Sequence, residues 1–500
     1  MPASYLIGVD LGTSATKAAL YTADGEAVAD ASAALEITYP EPGQVEQDQH
    51  EFVRTAAETV RSVVEGSGID PGTIAAIGFD SQMAGIGSVD EDFRPATRYD
   101  SWLDMRCQPY IEMLARDHGD VITRLTGCPP TCAHAAKMLW WAHERPDAYA
   151  RIARFVTPSA FVAGTLVGLS GDQAFMDFTF LHFSGCSDAQ SGDWSPELCD
   201  RLGIDREKLP KVVEPWQIIG ETRGGLSAMF GLPEGIPVVA GTGDTAAAAL
   251  GAGIVSPGMI LDVAGTASVL AGCTDTFVAD EAEQTLLTMR SAVPGLWHPL
   301  AFVGGGGLAL DWFAELFATD DGAPADLPAL VEEAGEIEPG ADGLTFSPHL
   351  GGRVCPADPG RRGAWVGFSW GHKRAHFLRA ALESIAYEYA GYLEILERLV
   401  PDQKRVEARV VGGGARSDVW NQIKAHVLAV PYRRLARSDI GTLGVALVAG
   451  HGVGVVDDLA ATAARASRPR DALTRPGSQS SRYQPLIARY QTTQKALDPL

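Results

Sequence analysis

Two stretches far apart in the chain read as the same small unit. In the first, Tyr5-Leu6-Ile7-Gly8-Val9 is a short apolar, partly β-branched run, the pattern of a buried strand. It ends in Asp10 and turns through Gly12 past small hydroxyl residues and Lys17. Ala18-Ala19-Leu20-Tyr21 then reads as the returning strand. In the second, Ile260–Ala264 turns through Gly265-Thr266 into Ala267–Leu270. A weak repeat of this kind calls for two halves, each building its own sheet. The length of 500 residues agrees, because one hydrophobic core stops growing well below that size.

Between these markers the pattern alternates strand and helix. Residues 46–67 carry Phe52, Val53, Ala56, Val60, Val63 and Val64 at helical spacing. Ile74–Phe79 is a further buried strand that delivers Asp80, Ser81, Gln82 and Met83 at its C-terminal end, where ligand residues sit in open α/β sheets. Residues 102–127 and 134–145 read as helices about a Gly/Pro-marked break. Ile236–Ala240 is a strand leading through Gly241-Thr242-Gly243 to Asp244 and an alanine-rich helix. The second half holds Gly304–Gly307, a long helix near 377–399, and a strand at 408–411 that runs into Gly412-Gly413-Gly414-Ala415. Helices follow over 417–430 and 441–452, with a closing helix over 483–497. The expected domains are 1–247 and 248–465, with a tail of 466–500.

Three glycine turns follow strands, at Gly12, Gly265-Thr266 and Gly412-Gly413-Gly414. Glycine lets backbone N–H groups approach an anion or a flat ring. The first hairpin adds hydroxyls and an ammonium for phosphate oxygens, and a carboxylate able to hold hydrated Mg²⁺. No turn matches the dinucleotide fingerprint or the P-loop. Taken together they favour a nucleotide held by two domains. Asp244 ends a strand as Asp10 does. Phosphoryl transfer requires a base near the attacking hydroxyl, and Asp244 is a reasonable one. Taken locally, an Asp before an alanine-rich run is a helix cap, and the two roles are compatible.

These segments resemble the FGGY carbohydrate kinases over nearly the whole chain. The matching stretches are Gly8–Ser14, Gly78–Met83, Trp102–Arg106, Lys137–Trp140, Gly241–Asp244, Gly265-Thr266 and Gly412–Ser417 with Trp420 and Gln422. The resemblance implies an α/β fold of two ribonuclease-H/actin-like domains with a nucleotide/sugar cleft between them. It makes Asp244 the catalytic base and Asp10, with Asp244, the metal site. It places Thr13, Ser14, Thr16, Lys17, Gly265, Thr266, Gly306, Gly413, Gly414 and Ala415 on ATP. Gln82, Met83, Asp104, Arg106, Asp244 and Thr245 would face the sugar. ATP and Mg²⁺ are the implied cofactors.

Within that family the chain is most similar to the xylulokinase group, so D-xylulose phosphorylation is the first expectation. Other pentuloses or polyols, such as ribulose, erythritol and glycerol, are the alternatives. Gln82-Met83-Ala84-Gly85 departs from the group's Gln-Met-His-Gly, and Gly352-Arg353 stands where Glu-Arg is usual. His134 is an imidazole that could replace the missing one. A reading of another class is an actin-like ATPase acting on a protein partner, but Gln82-Met83 and Trp102–Arg106 have no task there.

Net charge is −23, which argues against nucleic acid and anionic membranes as partners. No apolar run reaches the ~18 residues of a membrane span. The seven cysteines are scattered, and Cys128 and Cys132, four apart, lack a second pair to complete a metal clip. Reduced thiols, a cytoplasmic location and a small-molecule sugar as partner are expected, with a homodimer left open.

Overall fold

The computed structural model describes residues 4–131, 133–318, 323–437 and 439–497. The chain forms two compact units. The first comprises Met1–Val255, Thr288–Trp297 and Asp439–Ser467, and the second Ser256–Leu287, His298–Ser438 and Arg468–Leu500.

The sheet of the first unit is built from β1 (Tyr5–Leu11), β2 (Ala15–Thr22), β3 (Ala27–Ala34), β4 (Ile74–Ser81), β5 (Ile218–Glu221) and β6 (Pro237–Val239), with the short β7 (Thr242–Gly243) paired to β4. Its order is β5-β6-β4-β1-β2-β3. β1 lies parallel to β4 and antiparallel to β2. Leu6, Ile7, Val9 and Leu11 of β1 are fully buried. Both faces of the strand are covered, which explains why the run is apolar throughout rather than alternating. The helix Gln49–Ser67 packs on β2 and β3. Asp48 caps its first turn by accepting from His50 N–H, and Gly68 closes it in the left-handed conformation.

The opposite face of the sheet is covered by the helices Asp244–Gly251 and Gly441–Gly452. The second is buried all round from Thr442 to Gly450, so it shows no polar stripe. It reaches the sheet because residue 8 is glycine: a Cβ there would lie 1.9 Å from the carbonyl oxygen of Thr442.

The second unit repeats the plan. Five strands of its six-stranded sheet are β8 (Met259–Ala264), β9 (Ser268–Gly272), β10 (Trp297–Val303), β11 (Glu407–Val411) and β12 (Tyr432–Arg434), in the order β10-β9-β8-β11-β12. β8 pairs antiparallel with β9 and parallel with β11, just as β1 does with β2 and β4. β9–β10 and β11–β12 repeat the antiparallel and parallel pairings of β2–β3 and β4–β6. The sequence echo is therefore an echo of topology.

Most elements fall where the sequence places them; the region after Trp102 differs. Helix begins only at Gln108, with Pro109 in its first turn, and residues 101–107 form turns and irregular backbone. The Asp104 carboxylate draws the chain out of helix by accepting from the backbone N–H groups of Val45 and Arg106. The six described cysteines, Cys128 among them, are buried thiols, and Cys132 lies outside the described residues.

Candidate active site

Three strands bring carboxylates to one end of the first sheet. Asp10 and Asp80 stand opposite each other in the parallel β1–β4 register, and Thr242 of β7 pairs with Asp80. Asp244 follows one residue beyond β7, as the first residue of its helix. The bundle is short of positive charge. Lys17 Nζ lies 3.9 Å from Asp10 Oδ2 and 4.0 Å from Asp439 Oδ1.

The acids answer to this crowding. Burial, partly relieved by Lys17 and reinforced by the Asp439 charge, pushes Asp10 up to about 6. Burial followed by the Asp10 charge pushes Asp244 up to about 7, although Thr245 Oγ1 donates to its Oδ1 at 3.1 Å. Asp80 is fully buried and held well above the carboxylate range by burial, then by Asp10 and Asp244. Its two oxygens receive no hydrogen bond from a neutral or cationic donor. A carboxylate near 7 is half ionised at neutral pH, the poise a general base needs.

Among the described residues no three metal-binding side chains converge on one point. The set still fits Mg²⁺, which takes one or two carboxylates and leaves its other positions to water and phosphate oxygens. Asp10 and Asp244, hard oxygen donors in a site where acids outnumber the single Lys17 cation, would hold it.

The hairpin turn is tied down by Gln82 and Gln47. Gln82 Nε2 donates to Gln47 Oε1 at 2.7 Å and to the Gly12 carbonyl at 3.4 Å. Gln47 Nε2 donates to the Thr13 carbonyl at 3.0 Å. Trp102 Nε1 donates to Thr13 Oγ1 at 2.9 Å. Thr13, Ser14 and Lys17 thus gather at the turn, with Ser14 exposed. Thr16 does not join them. The alternation of β2 turns it into the core, where its hydroxyl meets Thr55 Oγ1 at 2.7 Å.

Among the residues expected to face a sugar and their neighbours, Met83 is buried against Gly243 and Ala84 takes a left-handed φ of 60°. Asp104 and Arg106 are bonded to each other. Arg106 Nε reaches both Asp104 oxygens at 2.9 Å, and Nη2 reaches Glu46 Oε1 at 2.8 Å. Lys137 Nζ donates to the carbonyls of Ser101 and Asp104 at 2.9 and 3.1 Å. His134 is fully buried, neither ring nitrogen has a hydrogen-bond partner, and burial followed by Lys137 pushes it down to about 3, so it is neutral.

In the second unit the corresponding hairpin turns at Gly265-Thr266. Gly307 N–H and Leu308 N–H donate to the carbonyls of Gly265 and Thr266 at 3.0 and 3.1 Å, and Gly306 lies against Ser268. Gly412 has φ 90° and leads into the tight turn Gly413–Arg416, which contains Gly414 and Ala415; Gly414 lies flat on Trp420. Asp262 does not repeat the role of Asp10. It stands one residue further from its glycine, so the strand turns it inward, where Lys424 Nζ donates at 2.6 Å and Tyr389 OH at 2.9 Å. The first hairpin presents an acid, and the second presents backbone.

Two acids complete the carboxylate set: Asp80, placed by its sequence at a ligand-bearing strand end but given no role there, and Asp439, not singled out in the sequence. Asp80 carried a signal, an acid closing an apolar strand at the same end as Asp10. Asp439 carried none, because only the return of the chain to the first sheet brings it near Lys17.

Comparison with known proteins gives the same reading from another direction. The model of the FGGY carbohydrate kinase N-terminal domain matches residues 5–251, and that of the C-terminal domain matches residues 262–453. A xylulose kinase of Bacillus subtilis is 27% identical over 460 residues, covering 91% of this chain and 89% of that protein. A gluconokinase of Bacillus licheniformis is 26% identical over 464 residues, covering 91% and 88%. The crystal structure of a gluconate kinase from Lactobacillus acidophilus superposes with a TM-score of 0.91 at 25% identity, covering 99% of this chain and 98% of that one. With both domain models matched in order and the acids of the first sheet in place, this chain belongs to the FGGY family of carbohydrate kinases, two-domain phosphotransferases.

Proposed function

We propose that the protein transfers the γ-phosphoryl group of ATP to a terminal hydroxyl of D-xylulose, giving D-xylulose 5-phosphate and ADP. The observation that carries this reading is Asp244, a half-buried carboxylate pushed up to about 7 at the strand ends beside Asp10. Asp244 takes the proton of the attacking hydroxyl as that oxygen bonds to the γ-phosphorus and the bond to the ADP oxygen breaks. Thr245 steadies the Asp244 carboxylate. Thr13, Ser14 and Lys17 donate to the transferred phosphoryl group. Bound Mg²⁺ supplies neutralisation of phosphate charge, with Asp10 and Asp244 holding it. The turns at Gly265-Thr266, Gly306 and Gly413–Ala415 offer backbone to the nucleotide. Gln82, Met83, Asp104 and Arg106 form the sugar wall. A cytoplasmic setting belongs to the same proposal and suits the buried thiols.

The gluconokinase relatives make gluconate the second reading. Gluconate brings a carboxylate that needs a cation, and Arg106 is already bonded to Asp104 and Glu46. That favours the uncharged ketose. The test is ADP release with D-xylulose, D-ribulose, D-gluconate, erythritol and glycerol. D-xylulose is expected to give the highest kcat/KM; a tenfold preference for gluconate would overturn the assignment. Asp244→Ala should abolish transfer while ATP still binds.

A further inference from the structure

The base assigned above does not stand on its helix alone. Gly243, the residue before it, is held from the interior of the first unit. Its N–H donates to Thr179 Oγ1 at 2.8 Å, across 64 residues of sequence. Thr179 is fully buried, and its hydroxyl in turn donates to Asp177 Oδ1 at 2.5 Å. The same Asp177 oxygen accepts the Thr179 backbone N–H at 2.9 Å, capping the short turn Phe178–Phe183. The far end of that turn is fixed by His182 Nδ1, which sits 3.1 Å from the Thr179 carbonyl. On its other side Gly243 meets Met83, whose Cε would lie 2.4 Å from a Cβ at that position.

Capping the turn requires only the Asp177 carboxylate and the Thr179 N–H. It does not require the threonine hydroxyl to reach a glycine on another element. That second bond has a direction. With its proton committed to the Asp177 oxygen, the hydroxyl is left as an acceptor, and the bond it donates polarises it into a stronger one. The N–H it accepts belongs to Gly243, the residue immediately before the Asp244 helix.

We propose that Asp177 and Thr179 are positioning residues for phosphoryl transfer: they hold Gly243 by its N–H, with Met83 packed against its α-carbon, and so aim Asp244 at the substrate hydroxyl. The inference rests on Asp244 being the base. Its cost when broken follows from the geometry that proton transfer demands, since a displacement of about 1 Å lowers turnover about 10²-fold.

The experiment compares Thr179→Val, Thr179→Ser, Asp177→Asn and Asp244→Asn, using MgATP with D-xylulose and with D-gluconate. Amide hydrogen exchange at Gly243 is measured on the same proteins without substrate. Thr179→Val keeps the shape and removes the acceptor. It should lower kcat about 10²-fold with sugar Kd unchanged, and should speed exchange of the Gly243 amide at least tenfold. Thr179→Ser keeps the hydroxyl and should restore both to within about threefold. Asp177→Asn should fall between. If Thr179→Val and Thr179→Ser lose activity equally, or if Gly243 exchange is unchanged in Thr179→Val, the clamp is refuted. Should Thr179→Val not fold, Asp177→Asn decides alone: wild-type kcat and wild-type exchange overturn the proposal. Asp244→Asn separates the two readings. If it retains transfer, the base assignment fails; if it is inactive while Thr179→Val turns over normally, only the clamp fails.

Discussion

Replacing Asp244 by asparagine should remove activity and raise stability at once, with a pH dependence that identifies the cause. Burial and the neighbouring Asp10 move this acid from an ordinary 3.8 to about 7. The folded protein therefore favours the protonated form. The cost is absent below pH 3.8, grows as pH rises, and is complete above about 7. At 1.36 kcal/mol per pKa unit the full cost is about 4 kcal/mol. The charge sits in the first turn of its helix, where the dipole returns up to about 1 kcal/mol. Water reaching a half-buried carboxylate weakens the remainder, leaving about 2–3 kcal/mol at pH 8. For a unit of roughly 290 residues this corresponds to a rise in Tm of about 3–5 °C. At pH 4.5 the gain should shrink to about 1 °C or less. Calorimetry of wild-type and Asp244→Asn protein at the two pH values, without Mg²⁺ or nucleotide, reads the difference. A fall in Tm at pH 8, or one equal shift at both pH values, would refute the account of a strained carboxylate.

Three further outcomes are expected. The kcat/KM for sugar should rise with pH as Asp244 loses its proton, with a midpoint at or below about 7 because bound Mg²⁺ favours the ionised form, and a profile that falls as pH rises to 7 would remove Asp244 as the base. Arg106→Ala strands the buried Asp104 carboxylate and Glu46, so urea denaturation should show a loss of about 3–5 kcal/mol, far more than the ~1 kcal/mol of an exposed pair. Lys424→Met leaves Asp262 as a lone buried charge and should cost the second unit a similar ~3–5 kcal/mol, with most of the loss recovered when Asp262→Leu is added; calorimetry checks both.

Local signals carried much of the fold. The β1 run is apolar because both faces are covered, and the Asp48 cap with Gly68 marks the ends of its helix. Asp10 and Asp244 were legible because each is an acid placed at the end of a strand beside glycine. What stayed hidden depends on long-range register. The burial of Thr16 follows from its place on β2 and from Thr55 on a separate helix. The Asp104–Arg106 pair reads as an exposed helix start until Val45 N–H, far away in sequence, claims the carboxylate. The Thr179–Gly243 bond joins two segments whose sequences give no hint of each other. The Asp262 pairing depends on a one-residue offset that only the strand alternation makes decisive.

The seam at Gly8 has a consequence for how the protein is made. The helix Gly441–Gly452, which covers the first strand, is encoded near the far end of the chain. On the ribosome the first sheet must wait, the seam over Gly8 uncovered, while almost two hundred further residues are added. A gene fragment ending at Val255 should accordingly yield insoluble protein, and supplying residues 439–467 on a second chain should bring it into solution. Premature termination anywhere before that helix harms the oldest part of the molecule, not the newest.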